Sequence, residues 1–130
     1  MSVALNNAVT QMVETTIQNA SLTTTANSTG LDISAYEGII AVSLRVASIT
    51  GTPTLDTTVK SSLTSGGSYA TCPKVDGTNA VFTQFTAAGS QRILIDTNAI
   101  NGFIRLEHTV AGGSPVLNVT AFVTGVLKVA

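Results

Sequence analysis

The chain has 130 residues, 44% of them apolar and 10% charged, and a net charge of −1. Soluble domains carry about 25% charged residues, so this surface repels neighbouring molecules weakly, and its polarity rests on Ser and Thr, about a quarter of the chain. The six Lys and Arg residues are scattered rather than grouped on one segment, which argues against a nucleic-acid partner.

Length suits one domain with one core. No apolar run approaches the 18 or so residues of a membrane span, and the start lacks the basic and apolar regions of a secretory signal. The expectation is a soluble protein made in a cytoplasm, with no membrane partner. Cys72 is the only cysteine and cannot form an internal disulfide.

Residues 1–18 are ambiguous. Leu5, Val9, Met12 and Thr16 fit one helical face, whereas Val9, Val13 and Ile17 also fit alternation. The Thr and Val content favours an extended N-terminal arm or a first strand, with residues 19–130 forming a single β-sandwich domain. An arm that reaches a neighbouring subunit by strand addition would use Val3, Leu5, Val9 and Met12.

From Ile40 the period is two: Ile40, Val42, Leu44 and Val46 point one way, and Ala41, Ser43 and Arg45 the other. Gly51 to Pro53 then punctuates the chain, and Leu55, Thr57 and Val59 read as the second arm of a hairpin. The run Ser65 to Ser68 ends that arm. Further strands are expected around Val81–Thr86, Arg92–Asp96 and Gly102–His108, separated by Ala87–Ser90 and Thr97–Asn101. The pairs Gly66-Gly67 and Gly112-Gly113 read as hairpin turns. Leu117, Val119, Ala121, Val123, Leu127 and Val129 form a closing apolar row, in which Gly125 signals a bulge or a close backbone approach. About eight short strands without helices between them predict an all-β, antiparallel β-sandwich, jelly-roll-like in topology.

Little reactive chemistry is legible. The one histidine, His108, alternates onto the face of Ile104 and Leu106 and reads as a hydrogen-bonded core residue rather than a base. A Cys72–His108 nucleophile pair would need a thiolate-stabilising environment that the turn-like Cys72-Pro73 segment does not offer. Glu14, Asp32, Glu37, Asp56, Asp76, Asp96 and Glu107 are too dispersed for a glycosidase pair or a calcium loop. Asp32, Asp76 and Asp96 adjoin turns, where a carboxylate accepts backbone N–H groups. Neither a P-loop nor a dinucleotide fingerprint is present. The expectation is a non-enzyme with no cofactor and no metal.

The segment Asn27 to Gly38 (Asn-Ser-Thr-Gly-Leu-Asp-Ile-Ser-Ala-Tyr-Glu-Gly) resembles the small capsid decoration, or cement, proteins of tailed bacteriophages. Thr50 to Asp56 with the polar strand Thr57–Ser62, and Gly102 to Val110 followed by Ala111 to Pro115, are similar to that family's Gly-Thr turn, arginine-centred strand and glycine turn. The resemblance covers most of residues 21–129. It implies a β-sandwich on the outside of a virion capsid, partnered by the major capsid protein and by its own copies as a dimer or trimer. It implies no catalytic residues. Arg105 is then the candidate contact to an acidic patch on the coat, against the reading of a solvated charge on the outer sheet face. The alternative function is a receptor- or carbohydrate-binding sandwich associated with a phage tail or fibre.

Overall fold

The computed structural model describes residues 12–100 and 102–128, so Val3, Leu5 and Val9 lie outside the described residues. The strands are β1 (Met12–Leu22), β2 (Ala26–Asn27), β3 (Leu31–Asp32), β4 (Tyr36–Thr50), β5 (Thr54–Ser62), β6 (Ala70–Thr71), β7 (Gly89–Asp96), β8 (Phe103–Ala111) and β9 (Val116–Leu127). A single 3₁₀ turn, Thr97–Ala99, follows β7. One sheet has the order β1-β9-β4-β7, and the other has the order β2-β8-β5-β6, with β3 also on β8. Every pairing is antiparallel. Because β2 meets His108 and Glu107 while β3 meets Ile104 and Phe103, the two act as halves of one interrupted strand. That gives four strands per sheet in a jelly-roll sandwich.

Alternation builds the core. Ile40, Val42, Leu44 and Val46 of β4 face inward beside Leu117, Val119, Ala121 and Val123 of β9, all essentially inaccessible. Leu55, Val59, Ile104 and Leu106 meet them from the second sheet. Each of these Val, Leu and Ile side chains contributes about 1.5–3 kcal/mol on leaving water, and the two inner faces together form the single core. β1 runs through position 18 without a break and pairs with β9 from Met12↔Val126 to Leu22↔Leu117. At Gly125 the inward position is filled from across the strand: a Cβ there would lie 2.8 Å from Ile40 Cγ2 and 2.9 Å from Tyr36 Cδ1.

Three sequence expectations fail. The segment 51–53 is not a hairpin turn, since β4 and β5 lie in different sheets; alternation shows that one side of a strand is buried, not which sheet it joins. Gly112-Gly113 likewise carries the chain from β8 in one sheet to β9 in the other. These two crossings pack side by side: a Cβ on Gly51 would lie 2.7 Å from the Gly113 carbonyl oxygen, and one on Gly112 would meet the backbone of Thr52 and Pro53. Gly66-Gly67, by contrast, does lie in a hairpin loop, between the paired β5 and β6. Finally, Val81–Thr86 forms no strand: its backbone pairs with β5 through the isolated bridges Thr58↔Val81 and Leu55↔Phe85, and Gln84 Nε2 donates to the Asp56 carboxylate. Phe82 and Phe85 both turn inward there, a spacing of three that continuous pleating does not allow.

Candidate functional site

The seam between the sheets is polar at one point. His108, on β8, is 1% exposed; its Nδ1 lies 2.8 Å from Thr57 Oγ1 and its Nε2 lies 2.5 Å from Gln18 Oε1. Gln18 reaches it because the β1–β9 register slips between Thr16 and Gln18, so two successive residues, Ile17 and Gln18, turn toward the interior. Burial drives the imidazole pKa down to about 4. A neutral ring with both nitrogens engaged ties the sheets together and leaves no free lone pair for base catalysis. Cys72 is 1% exposed, donates to the Val59 carbonyl at 3.2 Å, and burial pushes its thiol up to about 11. That is the opposite of an activated nucleophile, and the two residues are not hydrogen-bonded to each other.

The acidic residues at turns behave as expected. Asp32 accepts from the Ser34 N–H, Asp76 from Thr78 and Asp96 from Asn98, each at 2.9 Å. Among the described residues no group of three or more His, Cys, Asp or Glu is placed to hold a metal ion. No described helix is long and apolar enough to cross a membrane.

The outer faces remain. On the second sheet, Arg105 donates from Nε and Nη2 to Glu107 Oε2 at 2.9 and 2.7 Å. Lys60 Nζ contacts the other carboxylate oxygen at 2.9 Å. The Arg105 guanidinium also sits 4.0 Å from the centre of the Tyr69 ring, and Tyr69 Oη donates to the Ser65 carbonyl. Burial raises the Glu107 pKa, but the hydrogen bonds and charges of Lys60 and Arg105 outweigh it and hold the carboxyl below its usual range. Arg105 is therefore a clamp that fastens the 63–69 loop over the sheet, not a loose solvated charge. Arg105 and Glu107 stand two apart on one strand, so their shared face was readable from spacing.

Met12 lies on the opposite side of the molecule, on the outer face of the first sheet. That face carries the exposed Met12 (62%), Ile39 (55%) and Leu94 (40%). With half-buried Phe122 and the small Ala41 and Thr124 they line a depression of about 310 Å³. Composition alone did not single out Ile39, Leu94 or Phe122. Their signal is local: Ile93-Leu94-Ile95, Ile39-Ile40-Ala41 and Ala121-Phe122-Val123 are unbroken apolar triplets in strands that otherwise alternate, and in each the pleat forces residues outward. The structure thus separates the two described candidates, Met12 and Arg105, onto opposite faces.

A third feature is a cleft of about 300 Å³ at one end of the sandwich, lined by Ser34, Glu37, Thr97, Asn98 and Lys128. Its aromatic neighbour Tyr36 is 4% exposed and bonded through its hydroxyl to Thr15, so it presents no stacking platform for a sugar.

No protein-family model matches the chain, and the search of curated proteins gives no match. Among solved structures it is similar to the SPBc2 prophage-derived protein YomS, at 11% identity and a TM-score of 0.51, covering 88% of this chain and 93% of that one. Others are the CBM36-1 domain of a multidomain xylanase from the hindgut metagenome of Trinervitermes trinervoides (11% identity, TM-score 0.48, 91% and 99% covered) and Broad Bean Stain Virus (9%, 0.44, 74% and 63%). The likeness to YomS extends over nearly the full length of both chains and shows the shared sandwich fold.

Proposed function

We propose that this protein is a virion structural protein that binds the outside of an assembled phage capsid and reinforces it by bridging coat subunits. The observation that carries the reading is the first sheet's outer face: an exposed apolar surface on a sandwich whose buried titratable groups, His108 and Cys72, are silenced by burial and hydrogen bonding. Such a surface fits a protein that works in contact with other subunits. The sequence resemblance to phage decoration proteins and the all-β fold are in keeping with it. A small subunit gains attachment by making several weak contacts at once, and linked contacts raise avidity by about 10²–10⁴. Binding then requires the assembled lattice, with the major capsid protein as partner and a homo-oligomer as the bridging unit.

The test is co-sedimentation of purified protein with expanded capsids and with free coat subunits. The expected result is retention on capsids only, and a lower rupture temperature for particles stripped of the protein. Equal affinity for free coat subunits would sink the proposal.

A further inference from the structure

We infer that the first sheet's outer face is a self-complementary interface on which a second copy of this chain packs face to face. The inference deepens the functional reading above and rests on it for the oligomer. The register sets out the face row by row. One row crosses all four strands as Glu14, Thr124, Ala41 and Leu94. The next is Thr16, Phe122, Ser43 and Arg92, and a third is Asn19, Thr120, Arg45 and Ser90. Within these three rows the acid stands on β1 at one side, and the arginines stand on β4 and β7 at the other; the further acid, Glu37 on β4, lies at the end of the face, in the row of Met12 and Val126. Among the described residues Glu14, Arg45 and Arg92 make no ion pair. Between them the surface is apolar or hydroxyl-bearing.

A two-fold axis running parallel to the strands, between two facing sheets, lays β1 of one copy over β7 of the other. Glu14 then faces Leu94 of the second copy, and Arg92 lies two residues along, about 7 Å away and within reach of two long side chains. Symmetry forms this pair twice, flanking a centre of Phe122, Ala41 and Thr124. The small side chains at that centre let two sheets approach to about 10 Å in the aligned packing of a sandwich. Four strands at about 4.8 Å spacing and about eight residues long present roughly 500 Å² per copy. A pair therefore covers about 1,000 Å², the lower bound for a specific interface, so the dimer is expected to depend on concentration.

Sedimentation equilibrium of the full chain tests this. The wild type is expected to dimerise reversibly, Glu14→Arg and Arg92→Glu each to weaken the dimer by about tenfold or more at low salt, and the double swap to restore it. Both positions are exposed, and a thermal melt of each variant checks that it folds. A wild type that stays monomeric to about 1 mM overturns the inference, as does a dimer indifferent to Arg92→Glu, which is what edge-to-edge pairing through β1 would give. Capsid binding separates the two proposals: a monomer that still binds capsids overturns only the face-to-face dimer, and a dimer that ignores them overturns only the decoration role.

Discussion

The two sheets bury the same kind of inward row but finish their outer sides differently. On the second sheet the free edge of β5 is covered: Leu55 exchanges backbone hydrogen bonds with Phe85, Phe82 donates to the Thr57 carbonyl, and Val59 bonds Ala80 and Cys72. Its outer face is fastened by the Lys60, Arg105, Glu107 and Tyr69 cluster. On the first sheet Met12, Ile39 and Leu94 stand exposed, and its charges make no pairs among the described residues. The charge cluster holds the second sheet's loop in place, whereas the first sheet's apolar face with separated charges is the surface to which we assign a partner.

The largest loss of stability comes from the seam that both sheets share. His108 has an ordinary pKa near 6.5 when unfolded and about 4 when folded. Between those values the unfolded chain binds a proton that the native protein refuses, so stability is complete above pH 6.5 and falls as the pH drops to 4. The His108 share of this loss is about 3 kcal/mol and is complete below pH 4, where the ring is protonated in both states; Glu107, whose pKa is lowered in the folded protein, adds a further loss as the pH falls through the carboxylate range. Urea midpoints at pH 7, 5.5 and 4 measure it, and a flat profile would contradict a buried neutral ring bridging Gln18 and Thr57.

A smaller effect is confined to the second sheet. Arg105→Ala removes a partly exposed cation–π contact and ion pair, at a cost of about 1 kcal/mol. Hydrogen exchange should quicken around Ser65–Tyr69 and stay unchanged in β4 and β7; equal quickening in both sheets would deny the clamp its local role. The smallest stability effect falls on the first sheet. Leu94→Ser should change unfolding free energy by no more than about 0.5 kcal/mol, yet weaken self-association in sedimentation. A large stability loss there would mean that the face belongs to the fold rather than to a partner.

Burial was the most legible property of the sequence. The rows Ile40–Val46 and Leu117–Val123 could be read directly because each side of a strand sees a constant environment. The Asx turns at Asp32, Asp76 and Asp96 were legible because a short carboxylate reaches only its own next turn. Sheet membership was not, since Leu55 and Thr57 show the same period whichever sheet accepts them. The Phe82–Phe85 segment misled for a related reason: aromatic and β-branched residues near an edge resemble a strand even when only single bridges form. Of the candidate site, Met12 and Arg105 are legible in the sequence but not their opposite faces, because the pairing of β1 with β9 joins residues about a hundred positions apart.

That pairing also governs when the molecule can form. β9 lies between β1 and β4, with Met12 opposite Val126 and Tyr36 opposite Leu127. The first sheet therefore cannot close until the segment through Leu127 has been made, and β1 waits with an open edge throughout synthesis. Non-local pairing of this kind folds in milliseconds to seconds rather than microseconds. Nascent chains crowded on one message thus have time to pair wrongly through β1, and weaker initiation, which spaces the chains apart on the message, should raise the soluble yield.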